Sequence, residues 1–338
     1  MRIGVMGTGL MAERALEGFA AAGIDCVALL HRPGSQSRAT ELASRFGVGA
    51  IDVDQDRFLA RSDLDAVYVA LVNVAHAAAA RAVLLAGKHA LVEKPFTSTV
   101  AEAVEVAALA KERGLMVWEA IMPRYAPTLP EVKESVAELG DLRFAYANYS
   151  QRSSRYDRFL AGETPPVFDP ALSGGALYDI NVYNVHLVTL LLGQPDAVTY
   201  RATRLRGIDT SGVLSLEYPA ATAVCVGAKD SQSPPGLLIQ GTRGYLRMES
   251  LPHEVSGITV VTDRSRTIVA APVEHPMVPE LTACAAMFES GDFTRCYADL
   301  DASVAVMGLL ETARLQAGIR FGADTPCLLY TSPSPRDG

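Results

Sequence analysis

The chain has 338 residues, 49% apolar and 20% charged, enough for two domains with cores of their own and too hydrophobic for bulk disorder. A formal net charge of -8, with no Lys/Arg run of five or more, offers nothing to a phosphate backbone, so nucleic acid is not an expected partner. No apolar run approaches the ~18 residues of a membrane helix. The opening RIGVMGTG lacks leader character, and the scattered cysteines form no C-x-x-C pair, which predicts reduced thiols in a cytoplasm.

Residues 2–6 (RIGVM) predict a strand that meets Gly7-Thr8-Gly9-Leu10-Met11-Ala12 and then an amphipathic helix ending at Gly23. Strand, G-x-G-x-x-A and helix together are the fingerprint of a dinucleotide cradle. Gly7 permits the tight turn, Gly9 lets backbone approach a pyrophosphate, and Ala12 is small enough for close packing of helix on strand. The next strand, CVALL, ends at His31-Arg32, where a strict NAD fingerprint places an acid for the ribose hydroxyls. Arg32, backed by Ser35, Ser37 and Arg38, instead offers cations and hydroxyls to a 2'-phosphate, so NADP is expected over NAD. Arg32 as a plain solvated charge is the competing reading.

LDAVYVAL, a helix from about Ala75 to Ala86, HALVEKP, the helix VAEAVEVAALAKERG and the strand LMVWEAI continue the alternation that builds a doubly wound parallel sheet. Lys94 and Glu93 close one of these strands, at the edge where such sheets bind ligands, with Pro95 just beyond. This predicts a Rossmann domain over residues 1–121. After it the texture changes to LRFAYANYS, AVTYRATRL, GVLSLEY, ATAVCVGA, PGLLIQGTRGYLRMES and GITVVTD, strand-like runs divided by Gly, Pro, Asp and Ser. An α+β domain over residues 122–326 is therefore expected, with a large, mostly antiparallel sheet. Helices at about 174–192 and 298–317 would cover one face and a homodimer or higher homo-oligomer the other, while 231–236 and 271–279 read as loops. CLLYTSPSPRDG, residues 327–338, breaks from the pattern and resembles the read-through of a sequencing adapter, so it is set aside as a non-native tail.

SGGALYDINVYNVHLV, Ser173 to Val188, follows two glycines with Asp179, Tyr183 and His186 at i, i+4 and i+7, one face of a helix. Such a polar stripe faces water or lines a site. No set of His, Cys and acids at ligand spacing occurs, and no metal is implied.

G-T-G-L-M-A, G-K-H-A-L-V-E-K-P, E-A-I-M-P-R-Y-A-P and G-G-A-L-Y-D-I-N-V-Y, in this order and spacing, resemble the glucose-fructose oxidoreductase/inositol dehydrogenase (Gfo/Idh/MocA) family over residues 1–326. The pattern is nearer its dihydrodiol dehydrogenase and glucose-fructose oxidoreductase branches. The resemblance implies a nicotinamide oxidoreductase for a sugar- or polyol-like small molecule. Tyr183 would be the acid/base, Lys94 its electrostatic partner, and Asp179 the residue that orients Lys94 or the substrate hydroxyls. A nearby ammonium is expected to lower a tyrosine pKa from about 10. His186 would touch substrate or serve the core. Cofactor contacts would come from residues 7–12, His31, Arg32, Arg38, Leu71, Asn73, His76, Glu93, Lys94 and Arg124, the last with a seam salt bridge as the competing reading. Val72 stands where the family usually has Pro, and Asn181 where it has Gly, which bears on how closely substrate passes that turn. Two other functions stay open: a trans-dihydrodiol dehydrogenase-like enzyme, favoured by an apolar aromatic pocket, and a non-catalytic NAD(P)-binding sensor, which would need neither Lys94 nor Tyr183.

Overall fold

The structure is a computed structural model and describes residues 1–271 and 273–324. Its first sheet has six parallel strands: β1 (Arg2–Met6), β2 (Asp25–Leu30), β3 (Ala50–Asp52), β4 (Ala66–Val69), β5 (His89–Glu93) and β6 (Val117–Ala120). They lie in the order β3-β2-β1-β4-β5-β6, the doubly wound order with its switch point between β1 and β4. The inner strand β4 is buried along its whole length, as an apolar run covered on both faces must be, and so is the edge strand β6. The covering helices are α1 (Leu10–Ala22), α2 (Gln36–Phe46), α3 (Gln55–Leu59), α4 (His76–Leu85) and α5 (Val100–Arg113). α5 is held at its start by a capping box, in which the Thr99 hydroxyl accepts from the Glu102 N–H and the Glu102 carboxylate accepts from the Thr99 N–H.

After α6 (Leu129–Glu138) and β7 (Leu142–Ser150) the chain makes α7 (Tyr156–Leu160) and α8 (Val182–Leu192). The strands β8 (Ala197–Leu205), β9 (Ile208–Glu217), β10 (Thr222–Ala228), β11 (Gly236–Gly241), β12 (Gly244–Met248), β13 (Ile258–Val261) and β14 (Ser265–Ile268) follow. The second sheet runs β14-β13-β12-β11-β7-β10-β9-β8, antiparallel except where β10 lies parallel to β7 at its centre. Ala145, Ala147, Ala223 and Cys225 face inward beneath α8, while Tyr146, Val213 and Tyr245 remain exposed on the opposite face.

Two differences from the expected layout stand out. The stretch read as loop up to residue 279 leads into an unforeseen helix, α9 (Val278–Ser290), whose first turn carries Pro279. Proline at a helix start sacrifices no intrahelical bond, so it marked an entry and not a gap. α9 packs on α1, and α10 (Phe293–Gln316) lies against α5 and β6 as well as β8 and α8, so the last helices cover both sheets. The adapter-like stretch 327–338 lies outside the described residues.

Candidate active site

The cradle forms as its residues require. Gly7 takes φ +118, its N–H donates to the Leu30 carbonyl at 2.9 Å, and a Cβ there would stand 2.4 Å from the Ala70 carbonyl oxygen. Gly9 precedes α1 with no side-chain cap, and a Cβ on it would meet nothing within 4 Å. Ala12 is fully buried against the sheet. The first-turn N–H groups of α1 thus face open space, an arrangement suited to a pyrophosphate. Gly7→Ala is expected to lower the midpoint of thermal unfolding and to weaken nicotinamide dinucleotide binding at least about tenfold, read by melting and by fluorescence titration. Unchanged melting and binding would contradict the fit described here.

Of the candidate cofactor contacts, Thr8, Leu10, Met11 and Leu71 remain accessible around the cradle, Leu10 at 56% and Leu71 at 38% exposure. Arg32 is exposed just past β2 and has no ion pair among the described residues. The others are already engaged. The His31 ring is buried and bonded to the Arg32 carbonyl at 2.9 Å. Arg38 turns away to pair with Glu13 and Glu41, so it does not back Arg32 as expected. His76 is fully buried, its ring nitrogens 2.9 Å from the Pro95 carbonyl and 3.2 Å from the Leu71 carbonyl; burial lowers its pKa, and the neutral ring donates to one of the two at the ends of neighbouring strands. The Asn73 amide donates to the Ser173 carbonyl at 2.8 Å, and the Ser173 hydroxyl donates to Ser98, stitching the cradle side to the α8 side. Arg124 is buried in a salt bridge to Asp299 at 3.1 Å, the seam pairing and not a cleft contact. Glu93 accepts from the Tyr68 hydroxyl and, at 3.2 Å, from the Lys94 N–H; burial raises its pKa. It anchors the turn that carries Lys94.

Lys94 crosses the cleft. Its Nζ donates to the Asp179 carbonyl at 2.7 Å and to Asp179 Oδ1 at 3.1 Å, and lies 4.9 Å from the centre of the Tyr183 ring. Asp179 sits in a π-helical turn, Leu177–Asn181, that precedes α8, and Tyr183 stands one residue into α8. Such wide turns shift helical register and recur at functional sites. Here the turn and the helix bring Asp179 and Tyr183 to the cleft but carry His186 away from it. His186 is fully buried with Nε2 3.1 Å from Glu119 Oε2, a close polar contact inside the core. Its expected contact with substrate is therefore corrected to a core role. Glu119 in turn accepts from the Phe96 N–H at 3.0 Å, and so steadies the segment after Lys94 and Pro95. Asn181 also points inward. It donates to the Cys225 carbonyl at 3.2 Å and packs on Gly227, so it does not narrow the cleft.

One charged partner has no sequence motif. Lys229, one residue past β10 and nearly buried, pairs with Asp179 Oδ2. Burial pushes the Asp179 carboxyl up, but Lys94 and Lys229 outweigh it and hold its pKa well below the ordinary carboxylate range. Burial likewise opposes the Lys94 ammonium, and Asp179, Tyr183 and Glu93 together raise its pKa above that of a free lysine. For Tyr183 the balance differs from expectation: burial raises the phenol pKa, Glu93, Tyr149 and Asp179 add to the rise, and Lys94 lowers it by less. The Tyr183 ring is flanked by Tyr149 (5.8 Å between centres) and His253 (5.6 Å), and His253 also lines an adjoining cavity of about 300 Å³ with Met122, Pro127 and Glu280. Tyr149 and His253 come from β7 and a distant loop, and no local pattern marked them.

A dinucleotide cradle faced across a cleft by a lysine, a carboxylate and a tyrosine defines a nicotinamide-dependent oxidoreductase. Residues 1–121 match the model of the oxidoreductase family's NAD-binding Rossmann fold, and residues 131–247 the GFO/IDH/MocA C-terminal domain. The chain belongs to the Gfo/Idh/MocA family and is an NAD(P)-dependent oxidoreductase acting on CH–OH groups. It is similar to the scyllo-inositol 2-dehydrogenase (NADP(+)) IolU of Bacillus subtilis, 31% identical over 96% of this chain and 99% of that one. It is also similar to D-xylose 1-dehydrogenase (NADP(+)) 2 of Haloferax volcanii, 31% identical over 92% and 95%. Among solved structures, a 3-ketoreductase from Actinomadura kijaniata in complex with NADP aligns with TM-score 0.77, 26% identity and coverage of 94% and 97%. No helix among the described residues is long and apolar enough to cross a membrane.

Proposed function

We propose that the protein moves hydride between NADP and a carbinol or carbonyl of a sugar- or polyol-like molecule, with Tyr183 exchanging the proton at the reacting oxygen. The observation that carries this reading is the contact of Lys94 with Asp179 and the Tyr183 ring, Lys94 leaving β5 at the same sheet edge where the Gly7–Gly9 turn leaves β1. Bound nicotinamide supplies the hydride acceptor or donor. Tyr183 holds a proton that burial keeps on the phenol, ready for a carbonyl oxygen in reduction and recoverable from a hydroxyl in oxidation. Lys94 presents its charge to the Tyr183 ring, and Asp179, about 28% exposed, keeps an edge free to accept from a neighbouring substrate hydroxyl.

A carboxylate between two lysines favours a hydroxyl-rich substrate over an arene diol. The Tyr149, Tyr183 and His253 rings keep the dihydrodiol reading as the second one, and retention of both Lys94 and Tyr183 supports an enzyme over a sensor. Tyr146, Val213 and Tyr245, exposed on the outer face of the eight-stranded sheet, support a homodimer or higher homo-oligomer. Nicotinamide absorbance with NADP+ or NAD+ and a panel of scyllo-inositol, D-xylose, other polyols and a trans-dihydrodiol tests the reading. Turnover of sugars or polyols is expected, and turnover of the dihydrodiol alone would replace the leading reading with the second.

The NADP preference rests on Arg32, whose guanidinium is free to take a 2'-phosphate. NADPH should bind at least about tenfold tighter than NADH, a difference of about 1.4 kcal/mol. Arg32→Ala should bring the ratio close to one. Equal binding of the two cofactors by the unaltered protein would refute the preference.

A further inference from the structure

Lys229 has no part in the reaction as described, yet it is built into the site as firmly as Lys94. Its N–H donates to the Thr210 carbonyl at 2.8 Å and its carbonyl accepts from the Ser153 N–H at 2.9 Å, so its backbone is fixed to β9 and to the segment after β7. Its side chain, 8% exposed, runs past the Phe168 ring, 5.9 Å from Nζ to the ring centre, and ends on Asp179 Oδ2. Lys94 reaches the other oxygen, Oδ1, from the opposite sheet. One carboxylate thus stands between two lysine side chains beside Tyr183, with Glu93, Tyr149 and His253 as the other titratable groups around that ring.

Neutralising Asp179 does not require this arrangement, since Lys94 alone balances its charge, and a second buried cation adds a desolvation cost. The geometry points to Lys229 as a positioning residue for the proton transfer: by holding Oδ2 it leaves Lys94 a single carboxylate oxygen, keeps the Lys94 ammonium against Tyr183, and maintains the positive charge that favours the phenolate. Without it, both Asp179 oxygens are free for Lys94, and the resulting pair is neutral. This inference rests on the reading of Tyr183 as the proton-exchanging group.

The test compares the unaltered enzyme with Lys229→Met, Lys229→Arg and Tyr183→Phe. In oxidation of whichever panel compound turns over with NADP+, Lys229→Met should move the rising limb of log kcat against pH about one unit to the alkaline side. It should also lower kcat at pH 7 about tenfold, with KM changed by less than about threefold, and Lys229→Arg should restore most of both. Crystal structures of the unaltered enzyme and Lys229→Met with NADP+ give a readout that needs no turnover. Asp179 should turn both oxygens to Lys94, and Lys94 should draw back from the Tyr183 ring.

An unmoved pH limb in Lys229→Met, equal impairment in Met and Arg variants, or an unchanged Asp179–Lys94 arrangement would overturn the inference. If Tyr183→Phe is inactive while Lys229→Met is unshifted, only the role of Lys229 fails. If Tyr183→Phe retains full turnover, the assignment of the proton-exchanging group fails with it.

Discussion

Tyr183→Phe is expected to lower turnover by about 10²- to 10⁴-fold, the usual contribution of a positioned acid/base, with cofactor affinity unchanged. The substitution removes one hydroxyl and keeps the ring that packs between Tyr149, His253 and the Lys94 ammonium, so the cleft should hold its shape. The direction of the pH dependence follows from the raised phenol pKa. Reduction uses the protonated form, so its rate should stay level through neutrality and fall only as the pH rises toward the tyrosine pKa. Oxidation uses the deprotonated form, so its rate should climb with pH over the same range. Steady-state kinetics in both directions and fluorescence titration of NADPH provide the check. A variant that keeps most of its turnover would show that another group handles the proton.

The second large effect is expected at Asp179. Asp179→Asn preserves volume but leaves Lys94 and Lys229 facing an amide with no compensating charge. Removing one member of a buried ion pair costs about 3–5 kcal/mol, and the partial exposure of Asp179 places the loss nearer 2–3 kcal/mol. The folded-state pKa of Asp179 is depressed, so its contribution is complete above the unfolded value of about 4 and declines as the pH falls below it. Urea unfolding at pH 7 should therefore separate the two proteins fully, and the gap should narrow at pH 3. A constant gap, or none at pH 7, would mean that the lysines find other partners. Turnover should also drop, because Lys94 loses the group that directs it.

The parts of the site that could be read in the sequence are those whose chemistry is local. Gly7, Gly9 and Ala12 act through a turn of a few residues, and Lys94 through its place at a strand end. Asp179 and Tyr183 were legible because they share a short helical stretch. The same helical spacing misled at His186, because its partner Glu119 lies in β6, which spacing within the helix cannot reveal. Lys229 reaches Asp179 only because β10 lies parallel to β7, a pairing set by the assembled sheet and not by either strand. His76, Asn73, Arg38 and Arg124 carried the right residue types for a cofactor. Several of their partners, the Pro95 carbonyl for His76, the Ser173 carbonyl for Asn73, Glu13 for Arg38 and Asp299 for Arg124, lie too far along the chain for spacing to reveal, whereas Glu41 stands only three residues after Arg38.

The contact between Asn181 and Gly227 gives the family departure at position 181 a different meaning. A Cβ on Gly227 would come within 2.6 Å of the Asn181 Cβ, so the two positions share a volume that admits only one side chain. This chain leaves the strand bare at Gly227 and fills the gap from the helix side with Asn181. The Asn181 amide then binds the Cys225 carbonyl, joining the turn that holds Asp179 to the sheet that holds Lys229. Positions 181 and 227 are therefore sterically coupled: a side chain at 227 needs a smaller residue at 181, and substitutions at the two will not combine independently.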